Sequence, residues 1–378
     1  MPGASATFRP TPRPTRPRVF LAAASAAWFA AACVTTYEQV EPAAGGAEVP
    51  LSAPVSIPLT DLARSGSSRV EVEFFSGILR RLQDAAEEAR RSPESALPAA
   101  ALIESLVESY DKPNVPPAFQ RHLNGYRAIA RGIRFREHVR ARSLLRLVEG
   151  GLSEPASDAA ERAAPPLGSL LAFELDLPAM TEPVLLGAET DQDPAGFSVA
   201  VTITDEYVDG STRESQTKDF LRLGAAYELA GADSLRLPIR VDAAVGDAVR
   251  RSVLVRVEWM PGYVTIDGFR APVQRVTAGA ITCTQWPEGY EILAEQPLAG
   301  LTAALRDFNP KNFASAYLSA LLVPPGQRRQ ATEMLIDQVR FGRADQAQVA
   351  MAALRKVAGV QIAIGDRDGW LEWWQSRQ

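Results

Sequence analysis

Cys33 and Cys283 are the two thiols of this 378-residue chain, and His122 and His138 are its two imidazoles. Nucleophilic, redox and zinc chemistry all draw on these residue types, so their placement bounds what the protein can do. The histidines fall on one expected helix, where about 100° of rotation per residue turns them roughly 160° apart, too far round the axis to share one metal or substrate. Cys283 lies in AITCTQW, where Ile281, Cys283 and Gln285 alternate with Thr282, Thr284 and Trp286. That pattern suits a small buried strand residue, and the local sequence offers neither the base nor the helix N-terminus that activates a thiol.

Acidic loops are the next donors. DQDPAG, with Asp191 and Asp193, and TDEYVDGS, with Asp205, Glu206 and Asp209, carry the hard oxygens calcium takes, without the D-x-D-x-D-G spacing of a calcium loop. Aspartate also collects in such turns for backbone reasons, so no metal or cofactor is expected. The acids are numerous and single out no facing pair for glycoside hydrolysis. P-loop, G-x-G-x-x-G, G-x-S-x-G, H-E-x-x-H and C-x-x-C patterns are absent from the sequence, and with them the usual support for an enzyme. Trp370, Trp373 and Trp374 sit at i, i+3 and i+4, giving one nearly all-indole helix face: either a cap over a helical core or a platform for a sugar ring or partner protein.

The elements ahead of these residues decide the compartment. The chain opens on an arginine- and proline-rich stretch, continues into an apolar core, and reaches Ala30-Ala31-Ala32 immediately before Cys33. This is the three-part form of an export signal, with an apolar core too short for a stable span. Ala30-Ala31-Ala32-Cys33 resembles the lipobox of bacterial lipoproteins, in which the cysteine is diacylglycerylated and becomes the new N-terminus. Ala30 and Ala32 also fit the generic A-x-A signal, and both readings cut between Ala32 and Cys33. The resemblance implies a membrane anchor of two or three acyl chains, each buried methylene contributing about 0.8 kcal/mol. Val34 in place of an aspartate after the cysteine implies, by the same resemblance, the outer membrane facing the periplasm.

The formal net charge is −5, and the first 32 residues hold four arginines (Arg9, Arg13, Arg16, Arg18) and no acid, so cleavage leaves −9. Such an acidic product has no overall attraction to phosphate backbones, and no nucleic acid is expected as a partner. Residues 33–68, rich in Pro, Ala, Gly and Ser, read as a linker behind the lipidated Cys33, with a reach on the order of 30 Å.

Residues 69–165 are expected to be a helical domain, with helices over 71–91, 98–110 and 117–149 punctuated by Pro93, Pro98 and Pro113. The third is arginine-rich, from Arg121 to Arg146, and is expected to pack on the acidic segment that follows, where residues 165–295 hold twenty acids against ten bases. Residues 166–295 switch to period two: Leu171, Phe173, Leu175 and Leu177 share one face, and so do Phe197, Val199, Val201 and Ile203. Strict alternation with Asp209-Gly210, Pro261-Gly262 and Asp267-Gly268 turns predicts an antiparallel β-sandwich or a partly open barrel, and an immunoglobulin-like sandwich is the match in size.

Residues 296–378 return to helices, over 298–307, 311–322, 327–341, 344–358 and 367–376. The tail AALRKVAGVQIAIGDRDGWLEWWQ resembles the end of bacterial HEAT-like helical-repeat proteins, which implies stacked hairpins. The expected whole is an α+β multidomain chain: signal peptide 1–32, tether 33–68, helical domain 69–165, β domain 166–295 and HEAT-like domain 296–378. Its expected function is that of a cell-envelope lipoprotein, a membrane-tethered structural or interaction platform for an envelope protein. The alternative is a binding module for cell-wall glycan or another extracytoplasmic ligand, and an enzyme ranks below both.

Overall fold

The computed structural model describes residues 69–113, 115–148, 165–186, 196–223, 227–242 and 244–378. The signal, Ala32, Cys33, the linker and the Asp191–Asp193 loop lie outside the described residues.

Helix α1 spans Arg69–Arg91 because Phe75, Ile78, Leu79, Leu82, Ala85, Ala86 and Ala89 recur every three or four residues and form its buried stripe. Helix α2 covers Ala96–Tyr110, accepting Pro98 in its first turn, where no N–H is required. Helix α3 covers Pro117–Arg142. Its first half lays Phe119, Leu123, Tyr126, Ile129 and Ile133 into a core shared with α1 and α2. Its last turns place Phe135 and Val139 in the β core instead.

The expected helix to 149 stops earlier. Ser143 leaves the helix with extended backbone (φ −69, ψ 140), and Leu144–Val148 form strand β1, antiparallel to β2 (Leu171–Pro178). Pairing with β2 and burial of Leu145 outweigh continuation of the helix, and Arg146 consequently sits on a strand.

The remaining strands are β3 (Val184–Leu186), β4 (Gly196–Glu206), β5 (Thr212–Arg222), β6 (Tyr227–Leu229), β7 (Ser234–Val241), β8 (Arg250–Trp259), β9 (Gly262–Ile266), β10 (Phe269–Val273) and β11 (Val276–Gln285). They make three antiparallel sheets, in the orders β1-β2-β7, β10-β9-β3-β6 and β11-β8-β4-β5. The inward residues of all three belong to one core, in which Trp259 packs edge-on against Phe135 at 5.2 Å and Phe197 at 5.1 Å. The Asp267-Gly268 turn closes the β9–β10 hairpin with both residues at positive φ, as a tight hairpin matched to strand twist requires.

The C-terminal helices are α4 (Tyr290–Glu295), α5 (Pro297–Arg306), α6 (Phe313–Leu322), α7 (Arg328–Phe341), α8 (Ala344–Ala358) and α9 (Arg367–Gln375). Helix α5 packs on α6, α7 on α8, and α9 on α7, around a third core that also takes in Val249 from just ahead of β8. The fold is therefore mixed α and β, with the sheets between two helical groups in the chain order.

Helix α3 reaches β10 through Gly132. A Cβ on Gly132 would lie 1.9 Å from the carbonyl oxygen of Pro272, whereas one on Gly125 of the same helix meets nothing within 4 Å. Gly132→Ala is expected to destabilise the protein by about 1–3 kcal/mol through overpacking, while Gly125→Ala stabilises it by up to about 1 kcal/mol through helix propensity. Parallel thermal melts of the two variants check this contrast.

Candidate functional site

Strand β4 ends in two acids that the preceding alternation does not anticipate. After Phe197, Val199, Val201 and Ile203, the strand closes on Asp205 and Glu206, and Glu206 is 2% exposed. A carboxylate taken out of water needs compensating cations or donors. Three are supplied from three elements. The hydroxyl of Tyr317 on α6 donates to Glu206 Oε1 at 2.6 Å. Lys356 Nζ on α8 lies 2.7 Å from the same oxygen, and Arg250 at the start of β8 lies 2.7 Å from Oε2.

Asp205 is served separately. The buried Arg251 guanidinium reaches its two oxygens at 2.6 and 3.0 Å and donates to the Ala244 carbonyl at 2.7 Å. Arg250 also lies over the Trp286 ring, 5.5 Å from its centroid, and Trp286 stacks on Tyr290 at the start of α4. The cluster is thus the polar centre of the junction between the sheet β11-β8-β4-β5 and the C-terminal helices.

Its electrostatics are those of a closed set. Burial pushes the Glu206 carboxyl upward, but the hydrogen bonds from Lys356 and Tyr317 and the charges of Arg250 and Lys356 outweigh it and hold the group below the ordinary 4.5. The Tyr317 phenol is pushed well above its usual value, first by burial and then by its bond to Glu206, so it stays a donor. An ionised acid held by two cations and a phenol that keeps its proton bind one another firmly and present no proton-transfer pair. Their chemical capacity is to clamp.

Asp205 and Glu206, expected in an acidic loop, thus end a strand and are held by cations, and the other residues singled out by the sequence lie elsewhere. Trp370 is 0% and Trp374 9% exposed; both belong to the C-terminal core, and the Trp370 indole N–H donates to the Ala363 carbonyl at 3.2 Å. Only Trp373 of the three is partly exposed, packed edge-on to Trp370 at 5.5 Å with the Arg377 guanidinium 5.1 Å from its ring centroid. The three indoles therefore do not form one open platform; at about 100° per residue Trp370 and Trp374 lie roughly 40° apart and face the core together, which leaves Trp373 at the rim of that face.

Cys283 is buried in β11 opposite Val253, and burial raises its thiol above the ordinary value, which keeps it protonated. A ring N–H of His138 donates to the Pro178 carbonyl at 2.7 Å. Asp209 accepts from the backbone and hydroxyl of Ser211, a turn-forming role. Among the described residues no group of histidine, cysteine or acid side chains is arranged to hold a metal ion.

The arginine helix does pack on the β domain, through a mixture of partners. Arg131 binds Asp267 at 2.6 Å and the Ile266 carbonyl at 3.1 Å, and lies over the Phe269 ring. Arg146, from its strand, binds Glu174 at 2.6 Å. Arg127 also lies over the Phe269 ring but pairs with Asp111, whose carboxyl it holds below the ordinary range together with Gln120, and Arg134 turns to Glu104. Arg136 and Arg140 flank the buried Glu137 on their own helix.

No family model and no curated protein matches the chain. Tyr317, Lys356 and Arg250 were not signalled by any spacing; the one available hint was a pair of acids ending a strand that otherwise alternates apolar and polar.

Glu206→Gln leaves Arg250 and Lys356, each about a third exposed, short of their counter-charge and is expected to cost about 1–3 kcal/mol. Because the folded-state value of Glu206 is depressed, its contribution is present above the unfolded value and disappears as pH falls through the folded one. Denaturant titrations on either side of pH 4.5 check this: the wild type loses stability on acidification more steeply than Glu206→Gln.

Proposed function

We propose that this chain is a cell-envelope lipoprotein, cleaved before Cys33, anchored by acyl chains on that thiol and acting as a membrane-tethered structural or protein-interaction platform. The carrying observation is the position of Cys33, directly behind Ala30-Ala31-Ala32 at the end of an apolar core. The character of the folded part supports a scaffold: the charged residues gathered at the junction pair with one another, and their geometry ties elements together. No helix among the described residues is long and apolar enough to cross a membrane, and the proposed attachment runs through the lipid. Residues 33–68 would then set the distance of the globule from the bilayer, facing the periplasm from the outer membrane.

The finer fold reading belongs to the same proposal. An antiparallel sandwich is supported by the common core beneath the three sheets, and HEAT-like hairpins by the pairing of α5 with α6 and α7 with α8. A second function, recognition of cell-wall glycan, rests on Trp373, the one partly exposed indole of α9.

Cys33→Ser is expected to abolish incorporation of labelled fatty acid and to move the protein out of the lipid-anchored membrane fraction. Unchanged labelling of that variant, or an unlabelled wild type, would refute the anchor. Recovery of an envelope protein with the wild type from detergent extracts, in preference to cell-wall fragments, distinguishes the platform from the glycan module.

A further inference from the structure

Strand β5 is an edge of unusual regularity. Its pairing with β4 runs without a bulge from Thr212 opposite Glu206 to Arg222 opposite Gly196, and among the described residues no strand lies on its other side. Every residue from Thr212 to Asp219 is exposed. Free sheet edges are ordinarily protected by shortness, proline, bulges, charged side chains or a covering element, because their outward N–H and C=O groups form a template for another strand; of these β5 carries charges, of both signs, at Arg213, Glu214, Lys218 and Asp219. The described part of this edge is long, unbroken and free of proline.

Its side chains also say what strand fits. In a regular antiparallel ladder, residues that point their backbone groups to one side alternate with those that point them to the other, so two copies of one strand can pair only with residues of like parity facing. A two-fold axis through Gln216 sets Arg213 opposite Asp219 and Glu214 opposite Lys218, and symmetry repeats each pair. Axes through Ser215 or Thr217 face no acid with a base inside the strand. Axes through Glu214 or Lys218 bring like charges together on the axis itself. One register is therefore favoured by charge on both faces of the sheet. Opposite charges across a strand pair are stabilising and like charges the reverse.

We propose that β5 is a homodimerisation edge, at which a second copy of this chain adds its own β5 antiparallel about Gln216 and joins two four-stranded sheets into one. The interface is isologous and closes as a dimer, since each β5 is consumed by its partner. This goes beyond the platform reading and does not depend on lipid at Cys33.

The test is sedimentation velocity of the full chain in density-matched detergent over a range of concentrations, with thermal melts confirming that each variant folds. The wild type is expected to show a reversible monomer–dimer equilibrium. Arg213→Glu and Asp219→Arg, each turning two attractive pairs repulsive, are expected to weaken it by about tenfold or more, and the double variant, which restores complementarity, to recover it. Gln216→Cys should form a disulfide-linked dimer under mild oxidation, and Ser215→Cys, off the axis, should not. A wild type that stays monomeric throughout, a dimer indifferent to both reversals, or a double variant no better than the single ones would overturn the proposal. Any of these results would stand apart from the outcome of the acyl-labelling experiment.

Discussion

A carboxylate removed from water at the end of a strand dictates how the two halves of this protein meet. Glu206 is tolerable in its buried position only because α6, α8 and β8 each deliver a donor or cation to it. The bond from Tyr317 spans 111 residues of sequence, so the C-terminal helices are placed on the sheet by a requirement that originates on the sheet. Apolar packing alone, through Val249 and the Gly210 turn, whose Cα lies where an added Cβ would touch Ala352 and Ile364, would leave orientation less sharply specified. The polar cluster supplies direction to an interface that hydrophobic burial merely holds together.

A different solution operates at the other junction. Helix α3 belongs to two cores in succession, giving Phe119 through Ile133 to the helical group and Phe135 and Val139 to the β core. Its link to the sheet is covalent continuity plus close backbone approach at Gly132, and the Arg131 guanidinium adds its bonds to the Asp267 hairpin. One junction is steric and continuous, the other electrostatic and discontinuous in sequence. Both end with the described residues in one compact unit.

These differences explain what the sequence could reveal. The strands were legible because one-sided burial imposes period two, and the turn at Asp267-Gly268 because positive φ at two successive positions favours those residue types. The end of α3 was misplaced because LLRLV is too short to separate strand from helix periodicity, and pairing with β2 decided the matter. The attraction between arginine helix and acidic domain was half legible: charge totals pointed to it, yet Arg127 and Arg134 found acids within their own helical group. The junction cluster was opaque, since its members come from distant segments and no local pattern marks Tyr317 or Lys356. Trp370, Trp373 and Trp374 gave their spacing away but not which of them turned inward.

Sheet topology carries a consequence for the order in which the chain assembles. Strand β2 finds β1 soon after it is made, but its other neighbour is β7, and β3 must wait for β9, whose residues follow β4 through β8. During synthesis, β2 and β3 therefore spend the longest interval with an apolar face made and a neighbour still missing. The hairpin of β4 and β5 and the helical pairs at the C-terminus each draw one partner from adjacent sequence, although β4 still awaits β8. The longest waits for a neighbour thus fall within the β domain, with locally paired units both inside it and beyond it.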